Sequence, residues 1–159
     1  MNRQSLASFF LLAAVFGSGL LFADEPVSKG YFSGIAIGGY DAVSFHQQSE
    51  GTHKATKGVK KYSFRWKGAK WRFATEENRI AFAADPTRYA PAYNGFCANA
   101  LSLGNGLVKT TGTHWQIYEK QLYLFYSKQG RKRWLQGDYH EYKKAADAAW
   151  LSILTARNN

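Results

Sequence analysis

The single cysteine, Cys97, is the side chain in this sequence with the greatest potential for reactive chemistry. It stands at the expected start of a short helix, where the helix dipole and free amide groups lower the pKa of a thiol. A reactive thiol would suit a redox enzyme or a redox partner, and a thiolate would also ligate a metal ion. The alternative is a packed thiol, because free cysteine is among the most buried residue types. Packing predicts that Cys97→Ser costs more stability than Cys97→Ala, because serine buries a hydroxyl.

A transition-metal site assembled from Cys97, His114 and Asp41 is one hypothesis for a cofactor, whose identity the sequence leaves open. His114 borders an expected strand, and Asp41 follows a glycine turn. None of the histidines stands at the close spacing from another histidine or the cysteine that marks strong metal sites. Asp41 also has a structural interpretation, because turns favour glycine and aspartate for backbone reasons. His46 and His53 fall in a polar loop, where we expect them to be solvated.

Two phenols, those of Tyr40 and Tyr93, could line a pocket for a small ligand or could pack with their hydroxyls at the surface. The chain contains no Ser-His-Asp order, phosphate-cradling glycine loop, paired catalytic carboxylates or nucleotide-binding fingerprint. These absences favour a non-catalytic binding module over an enzyme, with a metal ion or a small molecule as its ligand.

The whole chain has a formal net charge of +10, and its positive charge is concentrated in one stretch. Lys54 to Arg72 contains eight basic residues and no acid. A solvated face is the default interpretation, and attraction to an anionic envelope surface is the functional alternative, which would make the protein an adaptor. Nucleic acid is disfavoured as a partner because export removes most of it from reach. Four of the basic residues share the first expected hairpin with aromatic residues: Arg65, Lys67, Lys70 and Arg72.

Residues 1–23 have the pattern of an export signal. Arg3 supplies a positive start, an apolar run follows it, and Ala23 precedes an acidic pair. We expect cleavage after Ala23, the alternative being an uncleaved membrane anchor. No other segment approaches the length needed to span a bilayer, so no transmembrane segment is expected after cleavage. This pattern predicts a periplasmic protein in a Gram-negative bacterium and a secreted protein otherwise.

Hydrophobic periodicity beyond the signal predicts one small α+β domain with two β-hairpins packed against short helices. Alternating aromatic residues predict the first hairpin over 62–73, and a second hairpin is expected over 115–126. Thr75 is a good N-cap for a helix that Asp85-Pro86 terminates. Helical spacing of apolar residues after Asp138 predicts a C-terminal amphipathic helix. Two further elements are expected, a short strand over 40–45 and a short helix over 96–103.

The order of these motifs resembles the YHS domain, and in particular the small exported proteins that consist of one such domain. The resemblance covers residues 30–155. It rests on Gly39-Tyr40-Asp41, on the stretch from Tyr62 to Ala98, and on the second hairpin. It implies an exported binding module of the YHS type and leaves the activity open.

The resemblance also bears on metal binding. In YHS domains linked to copper-transporting ATPases, a Phe-Cys-Ser…Cys pattern after the first hairpin is thought to bind metal. Ala74 and Asn78 stand at those two cysteine positions in this chain. Since soft thiolate ligands select Cu(I) or Zn, the comparison implies that this particular site is absent. The later stretch Gly95-Phe96-Cys97-Ala98 is similar instead to the exported single-domain members.

Overall fold

Two antiparallel hairpins and the helices that cover them make up the residues that the computed structural model describes, 25–48 and 54–158. The α+β fold class expected from the sequence is therefore confirmed, with five helices and two separate two-stranded sheets in these ranges. The expected signal, residues 1–23, and His53 lie outside the described residues. Within the described ranges, no helix combines the length and the apolar character needed to cross a membrane.

The first hairpin pairs β1 (Val59–Trp66) with β2 (Ala69–Phe73), as the alternating aromatic residues predicted. Lys67 and Gly68 form its two-residue turn with φ angles of 46° and 65°, the left-handed pair that a type I′ turn requires. Aromatic side chains on the inner face converge on Phe82, whose ring stacks on a tryptophan of β2 with 5.1 Å between centroids. The first core is therefore built largely from aromatic rings, which each remove a large area from water.

Two helices follow this hairpin, α1 (Glu76–Ala84) and α2 (Pro86–Tyr89). The hydroxyl of Thr75 accepts a hydrogen bond from the N–H of Asn78 at 3.2 Å and so caps α1. The side chain of Asp85 accepts from a main-chain N–H of α2 at 3.1 Å, and the proline after it occupies the first helical position. Both helix boundaries agree with the prediction because local capping chemistry sets them.

The second hairpin pairs β3 (His114–Tyr118) with β4 (Gln121–Phe125) and packs against α3 (Ala98–Ser102), which packs in turn against α5 (Tyr139–Asn158). α5 begins after Asp138 as expected, because that carboxylate accepts from main-chain N–H groups in the first turn. The apolar residues of α5 that recur at helical spacing pack into the second core, as predicted: Tyr142, Ala146, Ala149, Trp150 and Ile153.

One helix was not anticipated, because its sequence had been interpreted only as a basic cluster. α4 (Lys128–Gln136) begins after Ser127, whose hydroxyl accepts from the N–H of Gly130 at 3.2 Å. Trp134 is 1% exposed and lies 5.5 Å from the rings of both Tyr123 and Phe125. A single large aromatic residue thus anchors a helix whose remaining residues are mostly charged or polar.

Two expected elements were wrong in type or extent. Residues 40–45 do not form a strand, because Asp41 turns the chain into a 3₁₀ turn over Ser44–Gln47. The helix expected over 96–103 is shorter at both ends. Phe96 is extended and Cys97 is the N-cap of α3, so the helix proper spans Ala98–Ser102.

Candidate functional site

Asp41 is fully buried, and its carboxylate accepts four hydrogen bonds. Oδ1 accepts from the N–H groups of Val43 at 2.9 Å and Ser44 at 3.2 Å. Oδ2 accepts from the N–H of Ala74 at 2.8 Å and from the side-chain amide of Asn78 at 2.7 Å. A carboxylate has about four acceptor positions, so the fold uses them all. Asp41 joins the 3₁₀ turn to the start of α1, which leaves it no capacity for a metal ion.

The positions that the YHS resemblance aligns with metal-binding cysteines, Ala74 and Asn78, are the two that bond Oδ2 of Asp41. The side-chain oxygen of Asn78 also accepts from the amide of Gln47 at 2.9 Å. A buried polar network therefore occupies this place in the fold. It holds the loop before the first hairpin against the helix after it.

Cys97 is 3% exposed, and its sulfur lies between two main-chain donors. Sγ accepts from the N–H of Ala100 at 3.4 Å and from the N–H of Tyr126 at 3.2 Å. The N–H of Cys97 donates to the carbonyl of Val108 at 2.8 Å. The residue thus caps α3 and ties it to the end of β4, and burial leaves a large reaction partner no access to the thiol.

The three proposed metal ligands do not form a site together. Among the described residues, no group of three or more histidine, cysteine, aspartate or glutamate side chains could hold a metal ion. His114 lies at the start of β3 and lines a cavity of about 170 Å³ with Lys128 and Arg131, not with Cys97 or Asp41. The donors of that cavity are mainly cationic, which suits an anion better than a metal.

The two candidate phenols occupy different environments. The ring of Tyr40 lies beneath the ammonium group of Lys57, 3.9 Å from the ring centroid. Tyr93 is 7% exposed and donates its hydroxyl to Asp147 of α5 at 2.9 Å. Burial, followed by that hydrogen bond, raises the pKa of Tyr93 well above its usual range. Neither phenol lines the cavity at His114 or the cavity that contains His46.

The turn that contains Tyr93 holds the start of the described chain against the rest of the fold. Tyr93, Asn94 and Gly95 all have left-handed backbones, with φ of 55°, 49° and 87°. The amide of Asn94 donates to the Glu25 carboxylate at 3.0 Å and to the Pro26 carbonyl at 3.1 Å. Such strain persists only where surrounding contacts fix the backbone, and here it anchors the first described segment.

The basic face is smaller than the sequence suggested. Lys67 turns away from it and forms an ion pair with Glu25, whose pKa is lowered by the hydrogen bond from Lys67. Arg65 and Lys70 are cross-strand partners, and Arg72 lies two residues further along β2. These three share one face of the hairpin because side chains alternate along a strand. The face free of carboxylate partners thus consists of Arg65, Lys70 and Arg72.

A larger cavity, of about 440 Å³, is lined by His46, Arg88, Ile117 and Lys120. The 3₁₀ turn supplies His46, α2 supplies Arg88, and the second hairpin supplies the other two. Its volume falls in the range of about 300–1,000 Å³ that small-molecule sites occupy. Two cations and one apolar wall would bind the charged end and the carbon skeleton of a small organic anion. We call this space the His46 cavity.

His46 is the titratable centre of this cavity, which corrects the expectation that it is solvated. Its ring meets the ring of Tyr89 edge-on at 5.6 Å, and Nε2 is buried with no hydrogen-bond partner among the described residues. Burial is the largest influence and lowers the pKa of His46, Arg88 lowers it further, and a hydrogen bond with the Tyr89 backbone opposes both. An anion bound nearby would favour the protonated imidazole.

Comparison with known proteins adds no relative to this picture. No family model matches the chain, and no match was found among curated proteins or solved structures. The likeness to the YHS domain therefore stays a prediction from the motifs themselves. No local signal in the sequence could have indicated the His46 cavity, because its residues come from segments far apart in the chain.

Proposed function

We propose that this protein is an exported, non-catalytic binding module of the YHS type whose ligand is a small organic anion. The observation that carries the proposal is the His46 cavity, where His46, Arg88 and Lys120 surround a volume suited to a small molecule. Ligand pockets commonly combine a few convergent polar groups with apolar walls, and Ile117 supplies such a wall. Export rests on the pattern of residues 1–23, with cleavage after Ala23.

A small anion is favoured over a transition metal for two reasons. The side chains around the cavity carry positive charge, which repels a metal cation. Elsewhere in the described residues, Asp41 and Cys97 already accept hydrogen bonds from protein donors, so their acceptor atoms are occupied. Redox chemistry at Cys97 is the rival function from another class, and the 3% exposure of that residue weighs against it.

The test is calorimetric titration of the purified mature protein with inorganic phosphate and a series of mono- and dicarboxylates. We expect Arg88→Ala and Lys120→Ala each to weaken binding of the best ligand by about tenfold or more, since a hydrogen bond to a charged group contributes roughly 1.5–3 kcal/mol. Arg65→Ala is the matched control, because Arg65 lies on the first hairpin outside the cavity. Its affinity should equal that of the wild type.

The pH dependence of the same titration is a second readout. The free protein holds the pKa of His46 below its ordinary value. Because a bound anion favours the protonated imidazole, the anion should bind more tightly as the pH falls. His46→Gln should remove this dependence. Equal losses in the Arg65→Ala control, no binding by any anion in the series, or tight copper or zinc binding would each contradict the proposal.

A further inference from the structure

We propose that the turn carrying Tyr31 and Phe32 is a membrane-docking element that inserts its two rings into the surface of an anionic phospholipid bilayer. We call this pair of residues the aromatic tip. The inference goes beyond ligand binding, since neither ring lines the His46 cavity. It gives the protein an interaction surface with a partner of defined chemistry.

The aromatic tip is almost completely exposed. Phe32 is 96% exposed and Tyr31 is 85% exposed, and both stand outside the two cores. A phenyl ring has no polar atom, so leaving it in water forfeits the free energy that its burial would release. Two adjacent rings in this state indicate that their burial partner is another molecule. Tyrosine, the other residue of the tip, is among those enriched where proteins meet the membrane–water interface.

The backbone around the aromatic tip is held in place before any partner arrives. The N–H of Gly34 donates to the carbonyl of Gly30 at 3.0 Å, and the N–H of Gly30 donates to the carbonyl of Ile35 at 3.0 Å. Lys29 and Ala36 form an antiparallel bridge below the turn. A preformed turn lowers the ordering cost of binding. The rings are therefore presented on a fixed protrusion.

The aromatic tip stands beside the basic end of the first hairpin. Ile35 pairs in parallel with Lys70, so the turn that precedes Ile35 lies toward the start of β2. The ammonium group of Lys29 reaches the carbonyl of Gly68 at 2.6 Å, which places Lys29 at the same end. Arg65 is the cross-strand partner of Lys70. Three cations thus lie at the end of the hairpin from which the tip projects.

Few negative charges oppose these cations. Of the acids in the described residues from 25 to 72, Glu25 is paired with Lys67 and Asp41 is fully buried. The free charges that this stretch of chain contributes near the tip are therefore positive. Basic residues near a membrane are attracted to anionic lipid by about 1 kcal/mol each.

An anionic bilayer fits this surface better than a polysaccharide does. Sugar rings stack on flat aromatic platforms, whereas the rings of Tyr31 and Phe32 meet at 85° and form no common plane. A bilayer interface accepts rings in any orientation. Membrane binding generally needs two signals, such as an apolar group together with a basic patch. The aromatic tip and the cations Lys29, Arg65 and Lys70 supply both.

The experiment measures co-sedimentation of the mature protein with vesicles of phosphatidylcholine containing phosphatidylglycerol. We expect binding that weakens with salt, and little binding to vesicles of phosphatidylcholine alone. Phe32→Ala should lower the partition coefficient about tenfold, because a phenyl ring no longer leaves water. Lys70→Glu should lower it by a similar factor at low salt. Tyr126→Ala is the matched control, since Tyr126 is 67% exposed outside the tip and should leave the coefficient unchanged.

Insertion itself is measured with Phe32→Trp and brominated lipid. Fluorescence of the new indole should be quenched when the protein binds anionic vesicles, whereas Tyr126→Trp should add no quenching. Equal vesicle binding by wild type and Phe32→Ala, no quenching of the new indole, or binding only to an anionic polysaccharide would each overturn the inference. Arg88→Ala should bind vesicles as the wild type does, because Arg88 lies in the His46 cavity and not in the aromatic tip. Failure of the ligand titration would therefore leave the membrane proposal standing, and failure of the vesicle test would leave the ligand proposal standing.

Discussion

We expect Cys97→Ala to destabilise the protein more than Cys97→Ser does. The sulfur of Cys97 accepts from the N–H groups of Ala100 and Tyr126 at 3.4 and 3.2 Å. Alanine removes the acceptor from both donors at once. Serine keeps an oxygen at the same branch of the side chain, and serine is among the preferred N-cap residues of helices.

The magnitude follows from these two contacts. Loss of a helix N-cap costs about 1 kcal/mol, and a buried donor left without a partner costs about 1–3 kcal/mol. Sulfur is a weak acceptor, and the donor from Tyr126 is only partly buried, so both figures apply at their lower ends. We therefore expect Cys97→Ala to lower the free energy of unfolding by about 2 kcal/mol. Cys97→Ser should lower it by less than about 1 kcal/mol.

Urea unfolding of the reduced wild type and both variants measures these differences, with a common slope expected for all three proteins. A second readout is the rate at which the native thiol reacts with a disulfide reagent, which should be slow because Cys97 is 3% exposed. The reasoning is refuted if Cys97→Ser is the less stable variant. Fast reaction of the native thiol at neutral pH would refute the buried geometry and favour the redox function.

Two further predictions concern carboxylates. Asp41→Ala should lower the free energy of unfolding by about 4 kcal/mol, because four donors lose their acceptor. Asp41→Asn should lower it by about half as much. Urea unfolding measures both losses, and a loss below about 1 kcal/mol for Asp41→Ala would contradict this. Lys67 lowers the pKa of Glu25 from its ordinary value of 4.5, so this pair stabilises above that pH and its contribution is lost as the pH falls through the lowered pKa. Since both partners are partly exposed, Glu25→Gln should cost below about 1 kcal/mol at about pH 6. That cost should shrink as the pH falls through the lowered pKa of Glu25, and a difference that stays constant would count against the ion pair.

The sequence predicted those elements whose signals are local. Thr75 caps α1, Asp85 ends it, and alternating aromatic residues define the first hairpin, so each boundary depends on residues within a few positions. At Cys97 the sequence predicted the opposite order of stability from the one that the structure leads us to expect, because the donors to Sγ come from α3 and from the residue after β4. A long-range partner of that kind leaves no trace in local sequence.

The missed turn and the missed helix have different origins. The apolar residues after Asp41 suggested a strand, but Oδ1 accepts from the N–H groups of Val43 and Ser44 and fixes a turn through local bonds. α4 has no apolar stripe, and long-range contacts hold it in place. Trp134 packs against the second hairpin, and the guanidinium groups of Arg131 and Arg133 donate hydrogen bonds to residues outside the helix. Tertiary contacts therefore overrode local propensity at α4.

The residues that carry the YHS resemblance overlap only in part with those that carry the proposed functions. Asp41, Tyr93 and Cys97 are buried, and their polar atoms form hydrogen bonds that connect different elements. Arg88, Ile117 and Lys120 of the His46 cavity lie within the stretches that suggested the family, whereas His46 and the aromatic tip lie outside them. A fold does not by itself specify a function, so the ligand and the partner depend on the side chains that the fold leaves at its surface. Substitutions at those surface positions leave the buried hydrogen bonds between elements unchanged. They are therefore the substitutions that separate function from folding in this protein.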